Sequence, residues 1–190
     1  MWAAIYAWNS LNPDKDPEQR IKEELFAQDE KEFEFLLSHV KGKSLLEIGS
    51  RYGESFKRLA RCLPKGSRVV TLDLGQDPYS PGVDTQSFRR DACQELTDEG
   101  YEVYMITGDS HDPEVVEDVR SLGPFDFVFI DGDHSIPGVT KDWNDYGPMG
   151  KVVGFHDIGM NEPMNKFWKS IPGEKKECIN SSMGIGIVFR

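Results

Sequence analysis

From residue 33 onward, hydrophobic residues recur at two spacings, one helical and one strand-like. Phe33, Leu36, Leu37 and Val40 fall at i, i+3, i+4 and i+7, one face of a helix, and Gly42 stops it. Residues 45–48 then form a short apolar run, read as a strand. Phe56, Leu59, Ala60 and Leu63 return to the helical spacing until Pro64 and Gly66. The same alternation continues. Strands are predicted at 69–74, 101–106, 125–130 and 152–155. Between them lie helical faces made of Phe88, Ala92 and Leu96, then Val115, Val119 and Leu122 behind Pro113, then Val139, Trp143 and Tyr146. Met164, Phe167, Trp168 and Ile171 mark one more helix, and residues 175–179 and 184–189 close the chain as two strands.

Strands separated by helix-length segments imply parallel βαβ units and a sheet covered on both faces. The ending departs from that rule. Only Asn180, Ser181, Ser182 and Met183 separate the last two strands, too few for a helical crossover, so these should pair antiparallel. The expected fold is therefore α/β, a doubly wound, mostly parallel seven-stranded sheet with a terminal antiparallel hairpin. Residues 29–190 read as a single domain. Residues 1–28 read as a separate N-terminal segment: Trp2, Tyr6 and Trp8 in an apolar start, then a polar loop with Pro13 and Pro17. It is a candidate lid or homo-oligomer contact.

The net charge of −11 argues against a nucleic-acid partner, which needs a basic surface. Arg51, Lys57, Arg58 and Arg61 form the one dense basic cluster near a motif, and a solvated helix face accounts for it. No apolar run reaches the roughly 20 residues that span a bilayer, and no basic region precedes the apolar start, so neither a membrane span nor a signal peptide is expected. Cys62, Cys93 and Cys178 are far apart and lack metal-site spacing. They read as thiols in a reducing cytoplasm.

The predicted strands end in acids: Glu47, Asp73, Asp109, Asp131 and Asp157. Packing explains such a series poorly, because an unpaired buried carboxylate is costly. Ligands of doubly wound sheets bind at this edge, near the point where strand order reverses. Helix capping is the competing account, weighed equally with ligand binding for Asp109. After residue 48, Gly49 and Gly53 permit positive φ and close backbone approach to a nucleotide-like ligand. Asp73, 24 residues after Gly49, is placed to accept both ribose hydroxyls. His134, just past Asp131, is the candidate base, with an unperturbed pKa of about 6.5. A turn-ordering histidine bonded to Asp131 is the alternative. For Tyr52, Tyr79 and Phe88, near the adenine in this reading, ordinary packing is the simpler account.

Residues Glu47-Ile48-Gly49-Ser50-Arg51-Tyr52-Gly53, Asp73 and Thr107-Gly108-Asp109-Ser110 resemble the glycine loop, ribose acid and adenine segment of the class I S-adenosylmethionine-dependent methyltransferases. Arg51 stands where a glycine is often found. Residues 127–135, ending Ile130-Asp131-Gly132-Asp133-His134-Ser135, with Val139 and Asp142, are similar to a subfamily signed Ile-Asp-Gly-x-His-Ser-Tyr-x-x-Val-x-x-Asp. Ile136 replaces the Tyr. That subfamily holds small-molecule and sugar O-methyltransferases, and the chain is similar too to the cephalosporin-hydroxylase-like and macrolide-sugar methyltransferases. The resemblance implies cofactor contacts from Glu47, Gly49, Ser50, Gly53, Asp73, Leu74, Gly108, Asp109, Ser110 and Asp131. Catalysis would fall to His134 and Asp131, with a small-molecule acceptor, sugar-like or polyhydroxylated.

It also implies a Mg²⁺ or Mn²⁺ site from Asp131, His156 and Asp157. His156 stands where related enzymes often have Glu, and Ile158 where catechol-type enzymes have Asn. Imidazole suits Mn²⁺, Fe²⁺ or Zn²⁺ better than Mg²⁺. The rivals are a catalytically inactive binding protein of the same fold and an NAD-linked oxidoreductase, which would show a fuller glycine turn and no terminal hairpin.

Overall fold

The computed structural model describes residues 29–76 and 84–190. Trp2, Tyr6 and Trp8, the rest of segment 1–28, and Tyr79 lie outside the described residues. Asp29 precedes the first described helix. Its carboxylate accepts the amides of Lys31 and Glu32 and caps helix α1 (Glu30–His39), satisfying donors that a helix start leaves bare. There follow β1 (Ser44–Ile48), α2 (Glu54–Ala60), β2 (Arg68–Asp73), α3 (Thr85–Asp98), β3 (Glu102–Thr107), α4 (Pro113–Leu122) and β4 (Phe125–Ile130). Then come α5 (Ile136–Tyr146), a 3₁₀ turn (Gly147–Met149), β5 (Gly150–Phe155), α6 (Glu162–Ser170), β6 (Glu174–Cys178) and β7 (Ile185–Phe189).

The seven strands among the described residues form one sheet in the order β3-β2-β1-β4-β5-β7-β6. The first five run parallel, and β7 pairs antiparallel with both β5 and β6. Strand order reverses between β1 and β4, so the tips of those two strands flank the crevice where such sheets bind ligands. Period-two alternation decides which helices cover which face. Leu46, Ile48, Val128 and Ile130 pack under α4, α5 and α6 with Val119, Val139 and Trp168, while Leu45, Phe127 and Phe129 pack under α1, α2 and α3 with Leu36, Leu59 and Leu96. Trp168 lies flat over β7, and only glycine fits beneath it: a Cβ at Gly186 would sit 2.6 Å from the indole.

Two helix faces differ from their predicted stripes. In α4 the buried positions are Val116 and Val119, with Val115 partly covered. In α3 the buried stripe is Thr85, Arg89, Ala92, Cys93 and Leu96, one position round from the Phe88 stripe. Phe88 sits half-buried, edge-on to Tyr52. The basic cluster behaves as a solvated face. Lys57 pairs with Glu54 and Glu95, Arg58 with Glu30, and Arg61 with Glu95 and Glu99. The three cysteines are free thiols. Among the described residues, no helix is long and apolar enough to cross a membrane.

The terminal hairpin is held to the first helix by one buried carboxylate. Glu32 accepts the amides of Asn180 at 2.7 Å, Ser181 at 2.5 Å and Gly184 at 3.2 Å, and the Ser181 hydroxyl at 2.9 Å. Removing it takes the shared acceptor from four donors, of which the Gly184 amide is buried. We expect Glu32→Ala to lower stability by about 2–4 kcal/mol, read as a fall in the urea midpoint with an unchanged slope.

Candidate functional site

The turn after β1 is built for close approach. Gly49 has φ +86°, and a Cβ there would lie 2.1 Å from the Asp131 carbonyl oxygen, so the tips of β1 and β4 touch backbone to backbone. The Gly49 amide bonds the Leu72 carbonyl at 2.8 Å, fixing the turn to β2 as well. Gly53 caps α2 with φ +84°. Arg51 adopts φ +47° although it is not glycine. The loop therefore keeps a left-handed residue where the glycine is missing, and the Arg51 amide donates to Asp73 Oδ2 at 2.8 Å. Asp73 Oδ1 accepts the Gly75 amide, also at 2.8 Å. The ribose acid of the sequence reading thus has both oxygens oriented by backbone donors. Leu74 beside it is 55% exposed, an apolar surface next to a polar one. Ser50 hydrogen-bonds Thr71 beneath the turn.

Glu47 points from β1 toward α2 and α3. It is wholly buried, and neither oxygen has a hydrogen-bond partner among the described residues. Burial pushes its carboxyl up to about 8, with Asp131 and Asp73 adding to the rise and Arg89 opposing it. Arg89, also wholly buried, donates from Nη2 to Thr107 Oγ1 at 2.5 Å and lies 3.7 Å from Asp73. The sequence reading missed it. Its signal was a charge on the buried α3 stripe, four residues after Thr85 and seven before Leu96.

At the tip of β3, Asp109 accepts the His111 amide at 2.8 Å, while Asp112 caps α4. The capping account therefore belongs to Asp112, and Asp109 stays largely exposed. His111 was assigned nothing from sequence. Its Nε2 lies 3.3 Å from Asp142 Oδ1, a carboxyl buried within α5, and Tyr146 bonds the Ser110 carbonyl at 2.8 Å. The segment Gly108–His111 is thereby tied to the helix that follows β4.

The tips of β4 and β5 bring together Asp131, His134, His156 and Asp157. His134 Nδ1 stands 2.6 Å from Asp157 Oδ2, and His156 Nδ1 lies 3.1 Å from Asp157 Oδ1 and 3.2 Å from Asp131 Oδ1. Burial alone would lower both imidazoles. The two carboxylates outweigh it, raising His134 and holding His156 well above its ordinary value. Desolvation opposes the charge on Asp157, and the two histidines overcome it, holding it well below the usual range. Asp157 adopts φ +63°, a conformation held by those contacts. Asp131, His156 and Asp157 each offer one ligand atom, all within 4.8 Å of one another. One imidazole nitrogen and two carboxylate oxygens fit a divalent cation, which would compete with the His156 proton for the same oxygens.

Glu47 gives this site a pH signature. The unfolded side chain ionises near 4.5 and the folded one near 8. Below the lower value both states are protonated. As pH rises toward 8 the unfolded state loses its proton first, and folding loses stability. We expect Glu47→Gln to gain on the wild type by a few kcal/mol between about pH 5 and pH 8, read from urea midpoints at each pH.

A family model described as a methyltransferase domain matches residues 46–158. Among curated proteins, the chain is similar to catechol O-methyltransferase of Niastella koreensis, 35% identical over 102 residues, 53% of this chain and 42% of that protein. It is similar to caffeoyl-CoA O-methyltransferase of Zinnia elegans, 27% identical over 159 residues, 83% of this chain and 58% of that protein. The chain spans about half the length of these relatives. In fold it is similar to an O-methyltransferase from Bacillus cereus solved in complex with SAH, with TM-score 0.61 and 18% identity, covering 100% of this chain and 90% of that one. It is also similar to a methyltransferase from Geobacter sulfurreducens, with TM-score 0.61 and 19% identity, covering 97% and 93%. The matched span runs from within β1 to just past β5 and so holds every strand tip described above: the chain belongs to the methyltransferase-domain family, on the class I S-adenosylmethionine-dependent methyltransferase fold.

Proposed function

We propose that this protein transfers the methyl group of S-adenosylmethionine to an oxygen of a small hydroxylated molecule. The observation behind this reading is Asp73, whose two oxygens are each aligned by a backbone amide at the tip of β2, beside a glycine turn too tight for any side chain at Gly49. Such a carboxylate suits the paired hydroxyls of a ribose. In this reading Gly49, Ser50 and Gly53 border the amino-acid end, Leu74, Gly108, Asp109 and Ser110 border the adenine, and Glu47 and Asp131 supply the acidic floor. The named activities of the curated relatives, on catechol and caffeoyl-CoA, favour an oxygen acceptor of small size.

The bound cofactor supplies an electrophilic methyl on a cationic sulfur. The chain's task is alignment and proton removal. With His134 Nδ1 engaged by Asp157, the acceptor's hydroxyl proton passes to Nε2 of the neutral imidazole. Asp157 orients the ring and stabilises the imidazolium formed. Asp131, His156 and Asp157 would hold a divalent cation, whose Lewis acidity would lower the pKa of an acceptor hydroxyl. A mixed imidazole and carboxylate set favours Mn²⁺ over Mg²⁺.

Calorimetric titration with S-adenosylhomocysteine tests the cofactor site. We expect micromolar binding in the wild type and a loss of roughly 100-fold or more in Asp73→Ala, which removes a part-buried charged acceptor. Absence of binding in the wild type refutes the reading. His134→Ala should retain that binding, yet lower turnover of a catechol or related hydroxylated acceptor by about 10²–10⁴-fold. For the metal, Mn²⁺ should bind the ligand-free protein at least about tenfold tighter than Mg²⁺, with both lost in Asp157→Asn, again by calorimetry.

A further inference from the structure

We propose that Arg89 is a positioning residue for the adenosine half of the site, an inference that rests on the cofactor reading above. Asp73 and Thr107 are register partners at the ends of β2 and β3. One guanidinium reaches both from below: Nη2 donates to Thr107 Oγ1 at 2.5 Å, and Nη1 stands 3.7 Å from Asp73 Oδ1. The fork therefore ties together the strand tips that border the ribose and the adenine segment. Lysine could supply the charge there but not the two-armed geometry.

Arg89 has no exposed surface, so it does not touch a ligand bound at the strand tips and acts through the groups it holds. Packing does not account for it. A buried charge carries a desolvation cost that an apolar side chain of like volume avoids. Nε and Nη1 both lack a hydrogen-bond partner among the described residues, so the cost is not recovered locally by hydrogen bonding. What Arg89 does compensate is the negative charge of Asp73 beside it. Its helix also abuts the glycine turn. A Cβ at Gly53 would meet Ala92 at 2.7 Å and the Arg89 backbone at 3.5 Å. The first turns of α3 thus carry the turn, the ribose acid and the β3 tip as one unit, with Gln86 bonding the Gly75 carbonyl at 3.2 Å on the same side.

The test is a double-mutant cycle on S-adenosylhomocysteine affinity, joined to amide hydrogen exchange on the ligand-free protein. Arg89→Met should weaken binding roughly 10- to 100-fold in the wild type but less than about threefold in Asp73→Asn, because the two residues act as a pair. Arg89→Lys should recover part of the loss. Without ligand, Arg89→Met should speed exchange at the Arg51 and Gly75 amides, the two donors to Asp73, by about tenfold. The Gly49 amide, bonded to Leu72, should stay protected. Equal losses of affinity in both backgrounds, or unchanged exchange at Arg51 and Gly75, would overturn the proposal and leave Arg89 a packing residue. If the wild type binds no S-adenosylhomocysteine, the cofactor reading fails, and the exchange result alone decides whether Arg89 positions Asp73. Should Arg89→Met fail to fold, Arg89→Lys is read at the same two amides, with unchanged exchange again the overturning result.

Discussion

Negative charge gathered where water is largely withdrawn is the constraint on which this structure turns. A carboxylate moved out of water must be protonated, paired or given hydrogen-bond donors. The protein uses all three solutions along the same sheet edge. Glu47 keeps its proton. Asp73 takes two backbone amides and an arginine from beneath. Asp142 is met by His111, and Asp157 by two imidazoles. The overall charge of −11 is thus no guide to the site, whose local balance is struck residue by residue.

Backbone strain follows the same map. The two described non-glycine residues with positive φ are Arg51 and Asp157, and both belong to this edge. Each left-handed conformation costs on the order of 1 kcal/mol, and each is tied to a polar contact that needs it. At Arg51 the turned backbone aims an amide at Asp73, and at Asp157 it brings one carboxylate between His134 and His156.

The sheet was legible in the sequence because apolar runs bounded by glycine and proline leave few alternatives, and the short link between the last two strands forced their antiparallel pairing. The strand-tip acids could be read for the same reason, since they stand where each run ends. Arg89 was not legible. It neighbours Arg90, and the Phe88 spacing offered a competing face; only the three-dimensional offset of α3 puts it inside. The His134, His156, Asp131 and Asp157 group was visible as residues, but not as a chain of contacts, because the strained Asp157 backbone sets which oxygen meets which ring. Asp112 caps α4, because Pro113 at the first helical position puts the capping residue immediately before it, and Asp109 lies too far upstream.

The place of β7 has a bearing on how the molecule is made. It is the last of the seven described strands yet lies inside the sheet, between β5 and β6. Until β7 pairs, β5 has an open edge and β6 has no neighbour to join. Such an edge is a template for pairing with another chain. The sheet therefore closes only when the β6–β7 hairpin docks as a unit along β5, so the edge strand of the parallel half is the last to be covered.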